Sequence, residues 1–306
     1  MVARAVASPF VIGVDVGGTK ILSGLVDREG RIVRRHETET PAGSGAEVLV
    51  ALESAVTAML DERVSALGIG VPSHLRRGTG RILQATNLPL ADLDLVEWAG
   101  SRFELPVGVE NDANAAALAE WRLGAGRGTS TLVMLTLGTG VGGGVVLDGR
   151  LYRGWAEVGH IVVVADGPPC QGSCHGRGHL EALASGTAAD AIAQELWGGD
   201  ADAYVLVDRA EAGHEAARAR VAELGRFLGA GIGSLANLFD PDLVVVGGGF
   251  GEAAGELVLG PAQEEARAQA LSPADTNLRI VPAELGSEAG LVGAALVAFE
   301  ALDGVR

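Results

Sequence analysis

The chain has 306 residues, is 48% hydrophobic and carries a formal net charge of −16. That length and apolar content can bury a large core, and length alone suggests two domains. The acidity argues against nucleic acid or an anionic membrane as the main partner, because either would need a basic patch to release counterions.

At the start, the apolar run Ala5 to Val14 contains Pro9 and lacks a small-residue cleavage site. No signal peptide is expected, and with two cysteines the chain reads as cytoplasmic. Residues 11–27 read as an apolar strand, Asp15, the glycine turn Gly17-Gly18-Thr19, and a second strand ending in Asp27. Ser44-Gly-Ala-Glu47 is a capping box that starts a helix to about Glu62, and Val64 to Val71 is a buried strand. A strand from Leu105 to Glu110 runs into a helix from Asp112 to Leu123. The longest uncharged run, Gly128 to Leu147, is too rich in glycine and threonine for a membrane span. Within it, residues 132–148 repeat the design of 11–27 at an offset of 121 (132 minus 11), with Asp15 on Thr136, Gly17 on Gly138 and Asp27 on Asp148. Helical patterns then cover about Ala182 to Leu196 and Glu215 to Phe239. After them come a strand at Leu243 to Val246, Gly247-Gly248-Gly249, another helix, a strand at Leu278 to Val281, and a last helix from about Glu288 to Ala301. Strands alternating with helices in two matched halves predict two α/β domains facing each other across a ligand cleft.

Three glycine loops follow strand ends: Gly17-Gly18-Thr19, Gly138 to Gly144, and Gly247-Gly248-Gly249. Glycine lets successive amides converge on phosphate oxygens, which suits an acidic protein that must hold a polyanion without basic side chains. Thr19, Thr136 and Thr139 add hydroxyl donors, and Asp15 is left to organise Mg²⁺ through water. Two look-alikes fail. Gly138, Gly140 and Gly143 match the dinucleotide fingerprint, but a strand follows instead of a helix; Gly13 to Lys20 resembles a P-loop, but Lys20 follows Thr19. A hairpin turn would account for any one loop, whereas three in matched positions point to phosphate. Asn111 and Asp112 stand where a strand meets a helix. Asp112 is either an N-cap or a base that takes a proton from a substrate hydroxyl during phosphoryl transfer.

Ligand-grade side chains crowd the stretch from Glu157 to Glu181. His160, Cys170, Cys174 and His179 offer two thiolates and two imidazoles for a closed tetrahedral Zn²⁺ site, with His175 as an alternative to His179. Buried thiols or, in a secreted protein, one disulfide are the plainer readings of the cysteines. Glu157 and Glu181 are hard carboxylates, poorly matched to a soft metal site, and suit a ligand rich in hydroxyls such as a sugar.

With Asp-Val-Gly-Gly-Thr-Lys at 15–20, Glu-Asn-Asp-Ala-Asn at 110–114, Leu-Thr-Leu-Gly-Thr-Gly-Val-Gly-Gly-Gly at 135–144 and Glu-Val-Gly-His at 157–160, the chain resembles sugar kinases of the repressor, open reading frame and kinase (ROK) family. The likeness runs from about Val11 to the C-terminal helix. It implies the duplicated actin-like ATPase (ribonuclease-H-like) α/β fold, ATP with Mg²⁺, and transfer of the γ-phosphoryl to a hexose hydroxyl. Glucose is the leading substrate; mannose, fructose or N-acetylmannosamine, or polyphosphate as donor, are alternatives. The resemblance implies Asp112 as general base, with Asn87 (in Thr86-Asn87-Leu88-Pro89), Asn111, Asp112, Glu157, His160 and Glu181 on the sugar. It places Asp15, Gly17, Gly18, Thr19, Lys20, Thr136, Gly138, Thr139 and Gly140 around the phosphates, and Gly247, Gly248 and Gly249 on the adenosine side. A small domain of residues 1–112 plus about 290–306, a large domain of 113–289 carrying the zinc knuckle, and a homodimer or homotetramer are expected. The chain departs from the family's metal motif, Cys-x-Cys-Gly-x-x-Gly-Cys-x-Glu. Aligned on Glu181, Gly172 and His179 stand where two of its cysteines should be, so Cys170, two residues early, is the candidate replacement. The family's repressors need a helix-turn-helix domain, for which about ten residues before the first strand leave no room. A non-catalytic sugar-binding protein is the other non-enzyme alternative.

Overall fold

The computed structural model describes residues 9–76, 78–85 and 88–305. In chain order, β1 (Phe10–Val16), β2 (Lys20–Val26) and β3 (Ile32–Glu39) precede α1 (Gly45–Thr57) and β4 (Val64–Val71). Three short strands, β5 (Ser73–Leu75), β6 (Arg81–Ala85) and β7 (Leu93–Asp94), lead to α2 (Leu95–Phe103), β8 (Val107–Asn111) and α3 (Asp112–Leu123). The second half holds β9 (Leu132–Leu137), β10 (Val141–Leu147), β11 (Arg150–Leu151), α4 (Leu180–Ala184), α5 (Gly186–Trp197), α6 (Ala203–Glu211) and α7 (Glu215–Phe239). It closes with β12 (Leu243–Gly247), α8 (Gly249–Ala254), α9 (Glu256–Gln269), α10 (Ala274–Asn277), β13 (Ile280–Pro282) and α11 (Ala289–Leu302). The described residues form two compact units. One comprises the chain to Ala119, Arg153–Trp155 and the chain from Glu288; the other comprises Glu120–Tyr152 and Ala156–Ser287.

The first unit's sheet has the order β3-β2-β1-β4-β8 and the second unit's has β11-β10-β9-β12-β13. β1 pairs antiparallel with β2 and parallel with β4; β9 does the same with β10 and β12. The next pairs outward, β4–β8 and β12–β13, are parallel. The internal repeat is thus realised strand for strand. The central strands are buried along most of their length, as expected of strands covered on both faces. A small third sheet, β5-β6-β7, belongs to the first unit.

A row of glycines governs the first unit. Gly24, Gly13, Gly68 and Gly108 stand in register across β2, β1, β4 and β8. A Cβ on Gly13 or Gly68 would overlap the carbonyl oxygen of Leu291 or Ala294, and one on Gly108 would lie 2.6 Å from that of Val297. The glycines form a furrow in which α11 lies with its backbone against the sheet, and α11 answers with small buried residues, Ala294, Ala295 and Ala298. In the second unit, Gly225, Gly229 and Gly233, four apart on α7, give the same close approach to α9.

Several element ends differ from expectation for local reasons. α1 stops at Thr57, where the Met59 and Leu60 amides tighten onto the Val56 and Thr57 carbonyls three residues back, and the Asp61 carboxylate then accepts from the Arg63 amide at 2.9 Å in the turn before β4. The helix expected over 182–196 is two, α4 and α5, because Ser185 is extended and its hydroxyl caps the Ala188 amide at 3.1 Å. β13 starts at Ile280 since the Leu278 amide closes the short α10 onto Ala274 at 2.8 Å. Among the described residues no helix is long and apolar enough to cross a membrane.

Replacing Gly68 by alanine forces a methyl group into the backbone of α11, which cannot yield without lifting the whole helix. Gly68→Ala should lower unfolding free energy by about 3 kcal/mol, read by urea denaturation; an unchanged midpoint would contradict the furrow's role.

Candidate functional site

In the first unit, the Gly17-Gly18-Thr19 turn joins β1 to β2. The Gly17 amide bonds the Lys20 carbonyl at 2.8 Å, and the Thr40 hydroxyl donates to the Gly17 carbonyl at 2.7 Å. Gly18, Thr19 and Lys20 are exposed, and the Lys20 ammonium pairs with Glu37 of β3 at 3.2 Å. Asp15 sits near the end of β1 with its carboxyl against Gly290, in the first turn of α11. Burial pushes this carboxyl up to about 7, the nearby Asp112 adds to the rise, and Lys20 opposes it. Asp15, just ahead of the Gly17-Gly18-Thr19 turn, is the carboxyl in place to organise Mg²⁺ through water.

Asp112 opens α3, but it is the Asn111 Oδ1 that accepts from the Asn114 amide, at 3.0 Å, and caps the helix. The N-cap reading of Asp112 is thereby corrected to its neighbour. Asn111 also reaches the Ser73 carbonyl through Nδ2 at 3.4 Å. Asn87 and Thr86 lie outside the described residues.

In the second unit, Thr136 ends its run in β9 opposite Gly142 and Gly247. The Gly138 carbonyl accepts from the Gly186 amide at 2.7 Å, and the Thr139 carbonyl accepts from the Thr187 hydroxyl at 2.8 Å, so the first turn of α5 braces the loop. A side chain on Gly140 would overlap the Glu181 carboxylate, whose Oε2 accepts from the Val141 amide at 3.0 Å. Gly248, at φ +87°, is pressed against the backbone of Leu137, so Gly247, Gly248 and Gly249 lie beside the end of β9 and open α8. Tyr204, from α6, borders Gly249 and was not anticipated from sequence; a lone exposed tyrosine carries no signal there.

Glu157 is exposed and precedes a single 3-10 turn, Val158–His160. The His160 Nδ1 lies 3.3 Å from the His179 Nδ1 and 3.6 Å from the Cys170 Sγ, while the Cys174 Sγ lies 3.5 Å from the His179 Nδ1. A tetrahedron built on Zn–N of about 2.05 Å and Zn–S of about 2.3 Å has N–N edges of about 3.3 Å and N–S edges of about 3.6 Å. The cluster meets those edges, its four ligand atoms all fall within 4.8 Å of one another, and the donor set fits structural Zn²⁺. His179, not His175, stands in this donor set, and Cys170 brings the second thiol to it. The bridges Val162↔His179 and Pro169↔Arg177 hold the knuckle closed, and Gly178, at φ +65°, turns where any side chain would strike the Val164 carbonyl. Burial, with Cys174 and Glu181 close by, pushes the Cys170 thiol up to about 11, so metal loading has to expel its proton. Glu181 links the knuckle to the glycine loop, its Oε1 standing 3.8 Å from the Cys170 Sγ.

One carboxylate escaped the sequence reading. Glu110, inside the Glu-Asn-Asp-Ala-Asn motif, is buried and paired with Arg153 at 2.9 Å. Its four-residue spacing to Asn114 was the available signal.

With this geometry established, the comparisons are unambiguous. A model of the ROK family matches residues 11–301, and the chain belongs to that family. It is 38% identical over 317 aligned positions to a glucokinase of Streptomyces coelicolor, covering 95% of this chain and 98% of the relative. It is 36% identical over 293 positions to an N-acetylmannosamine kinase of Escherichia coli O157:H7, covering 94% and 97%. A crystal structure of a ROK family glucokinase from Streptomyces griseus, in complex with glucose and AMPPNP, is similar with a TM-score of 0.83 at 37% identity, covering 95% of this chain and 99% of that one. The repeated sheets are accordingly the duplicated actin-like, ribonuclease-H-like ATPase arrangement.

Two outcomes follow from the site's electrostatics. Because the folded-state Asp15 carboxyl is raised from 3.8 to about 7, it binds a proton that the unfolded chain has already lost, so its cost to stability grows as pH rises from about 4 to about 7 and is constant above. Asp15→Asn should therefore stabilise the Mg²⁺-free protein by up to about 4 kcal/mol at pH 8 and by nothing below about pH 4; denaturant unfolding at both pH values decides it. Purified protein should carry about one equivalent of tightly held Zn²⁺, which Cys174→Ser cuts below about 0.2 while His175→Ala leaves it in place, as measured by metal analysis.

Proposed function

We propose that the chain is an ATP-dependent glucokinase, transferring the γ-phosphoryl of ATP to the 6-hydroxyl of glucose to give glucose 6-phosphate and ADP. The observation that carries this reading is the likeness, over nearly the whole chain, to a kinase structure holding glucose and AMPPNP. The nearby carboxyls of Asp15 and Asp112 support it. Asp112 accepts the proton of the 6-hydroxyl as that oxygen bonds to the γ-phosphorus and the bond to the β–γ bridging oxygen breaks. Asn87, Asn111, Glu157, His160 and Glu181 hold the other sugar hydroxyls. His160 does so through Nε2, since its Nδ1 faces the Cys170 thiol and the His179 ring. Backbone amides around Gly17, Gly18, Thr19, Gly138, Thr139 and Gly140, with Lys20 and the Thr136 hydroxyl, hold the phosphates; Gly247, Gly248 and Gly249 flank the adenosine. Asp15 would hold Mg²⁺, which would supply charge neutralisation for the transferred group. The Zn²⁺ knuckle is structural and fixes the direction of His160 and Glu181.

A homodimer or homotetramer in the cytoplasm is the setting we propose, and two unpaired thiols suit a reducing compartment. The likeness to an N-acetylmannosamine kinase makes that sugar the second candidate substrate.

Assaying a panel of hexoses, first with ATP and then with polyphosphate, should give glucose with ATP as the fastest pair. Faster turnover of N-acetylmannosamine would move the substrate but keep the kinase, and no product from any sugar would sink the reading. Asp112→Asn should lower kcat by about 10²- to 10⁴-fold with glucose binding unchanged; full activity would remove Asp112 as base.

A further inference from the structure

Glu110 and Arg153 have no part in the chemistry above, yet they enclose its centre. Glu110 is 5% exposed. Its Oε1 accepts from the Asn111 amide at 3.0 Å and from the Asn114 Nδ2 at 3.1 Å, and its Oε2 accepts from the Arg153 Nε at 2.9 Å. Arg153 donates a further hydrogen bond to Glu300 near the end of α11. One carboxylate thus holds the residues on both sides of Asp112, and one guanidinium ties that carboxylate to the helix lying in the glycine furrow.

The Asn114 side chain shows how firmly Glu110 sets this junction. Its Oδ1 is buried with no partner among the described residues. Turning the amide over would press that oxygen against the Glu110 carboxylate, so the bond to Glu110 dictates the orientation at the expense of an unmade hydrogen bond. Arg153 itself stands in a tripeptide, Arg153–Trp155, that packs with the first unit although its sequence neighbours belong to the second. Trp155 secures the same segment, its Nε1 donating to the Leu75 carbonyl at 3.3 Å.

We propose that Glu110 and Arg153 are a positioning pair that fixes the Asn111–Asp112 junction for proton transfer, an inference that rests on the reading of Asp112 as the base. Neither is among the residues proposed to hold sugar or nucleotide. Glu110 immobilises the Glu110–Asn111 peptide, one residue ahead of Asp112, and the Asn114 side chain two residues after it. Arg153 anchors the other oxygen of the same carboxylate through a charged donor, so the bonds to Asn111, Asn114 and Arg153 converge on one fixed group. Misplacing a reacting group by about 1 Å costs on the order of 10²-fold in rate, so the pair should act on kcat.

The test compares Glu110→Gln, Arg153→Ala, Arg153→Lys and the double variant Glu110→Gln with Arg153→Ala, by steady-state kinetics with glucose and ATP. Arg153 borders a cavity of about 390 Å³, lined in part by Leu75, Val107, Val109 and Val297, so its truncation removes hydrogen bonds more than packing. Glu110→Gln and Arg153→Ala should each lower kcat by about 10- to 100-fold with KM for ATP unchanged. The double variant should fall no further than the worse single one, because both break one unit. Arg153→Lys keeps the charge without the two-pronged fork and should recover part of the loss; it carries the comparison if Arg153→Ala does not fold. A kcat within about twofold of wild type in both single variants, or losses that multiply in the double variant, overturns the pair. A wild type inactive on every hexose refutes the kinase reading and this inference with it. Active wild type with multiplying losses refutes the pair alone.

Discussion

The absence of side chains at four in-register positions of one sheet is the constraint on which the first unit turns. With Gly24, Gly13, Gly68 and Gly108 in line, α11 descends until carbonyl oxygens rest where methyl groups would otherwise be. Close packing of this kind gains many small dispersion contacts and leaves little freedom to slide. Three consequences for the site follow from where α11 comes to rest. Gly290 lies against the Asp15 carboxyl, Gly293 lies against the backbone of Ala115 in α3, and Glu300 reaches Arg153. A helix from the far end of the sequence thereby bounds the acidic site on more than one side, which is why the chain from Glu288 belongs with the first unit.

In the second unit the corresponding constraint is coordination. A tetrahedral ion asks only that four ligand atoms reach the right points; it is indifferent to how many residues separate them. This is why a displaced thiol at Cys170 can still fit the donor set. The backbone turns through Gly172 at φ +58°, the Cys170 amide bonds the Gly176 carbonyl at 2.9 Å, and the sulfur arrives 3.6 Å from the His160 nitrogen. Gln171, carried along by the altered loop, donates to the Ser185 hydroxyl at 2.7 Å and the Glu181 carbonyl at 3.1 Å, binding the knuckle to the break between α4 and α5. The substitution of His for Cys at 179 and the shift of the first thiol are therefore one change, geometrically compensated.

Much of the fold was readable in the sequence because its signals are periodic and local. The paired strand–glycine–strand units announced the duplication, and the capping box at Ser44 announced α1, where both reciprocal bonds are present. What stayed hidden depended on distant partners. β3 is an exposed, charged edge strand without alternation, protected from further pairing by the same residues that conceal it. The strands β5 to β7 are too short for a period to show. The ligand cluster was visible because residue type carries coordination chemistry, whereas the choice of His179 over His175 required the bridge to Val162. Glu110 went unnoticed since its role lies in bonds to Arg153, 43 residues away in sequence.

A protein of net charge −16 that holds a triphosphate faces an apparent contradiction. Charges beyond a Debye length of about 8 Å are screened at physiological salt, so the overall acidity governs approach more than binding. Within that distance, the proposed phosphate loops offer backbone amides, threonine hydroxyls and Lys20, whose charge is already shared with Glu37. Burial raises the Asp15 carboxyl to about 7 and the nearby Asp112 adds to the rise, so negative charge is resisted at this point before any nucleotide arrives. A nucleotide that arrived with its divalent cation would bring positive charge to this carboxyl and would favour its ionised form. On the proposed reading, the same repulsion that disfavours a bare triphosphate selects the metal complex, so the site's acidity works as a filter for the form of nucleotide that can react.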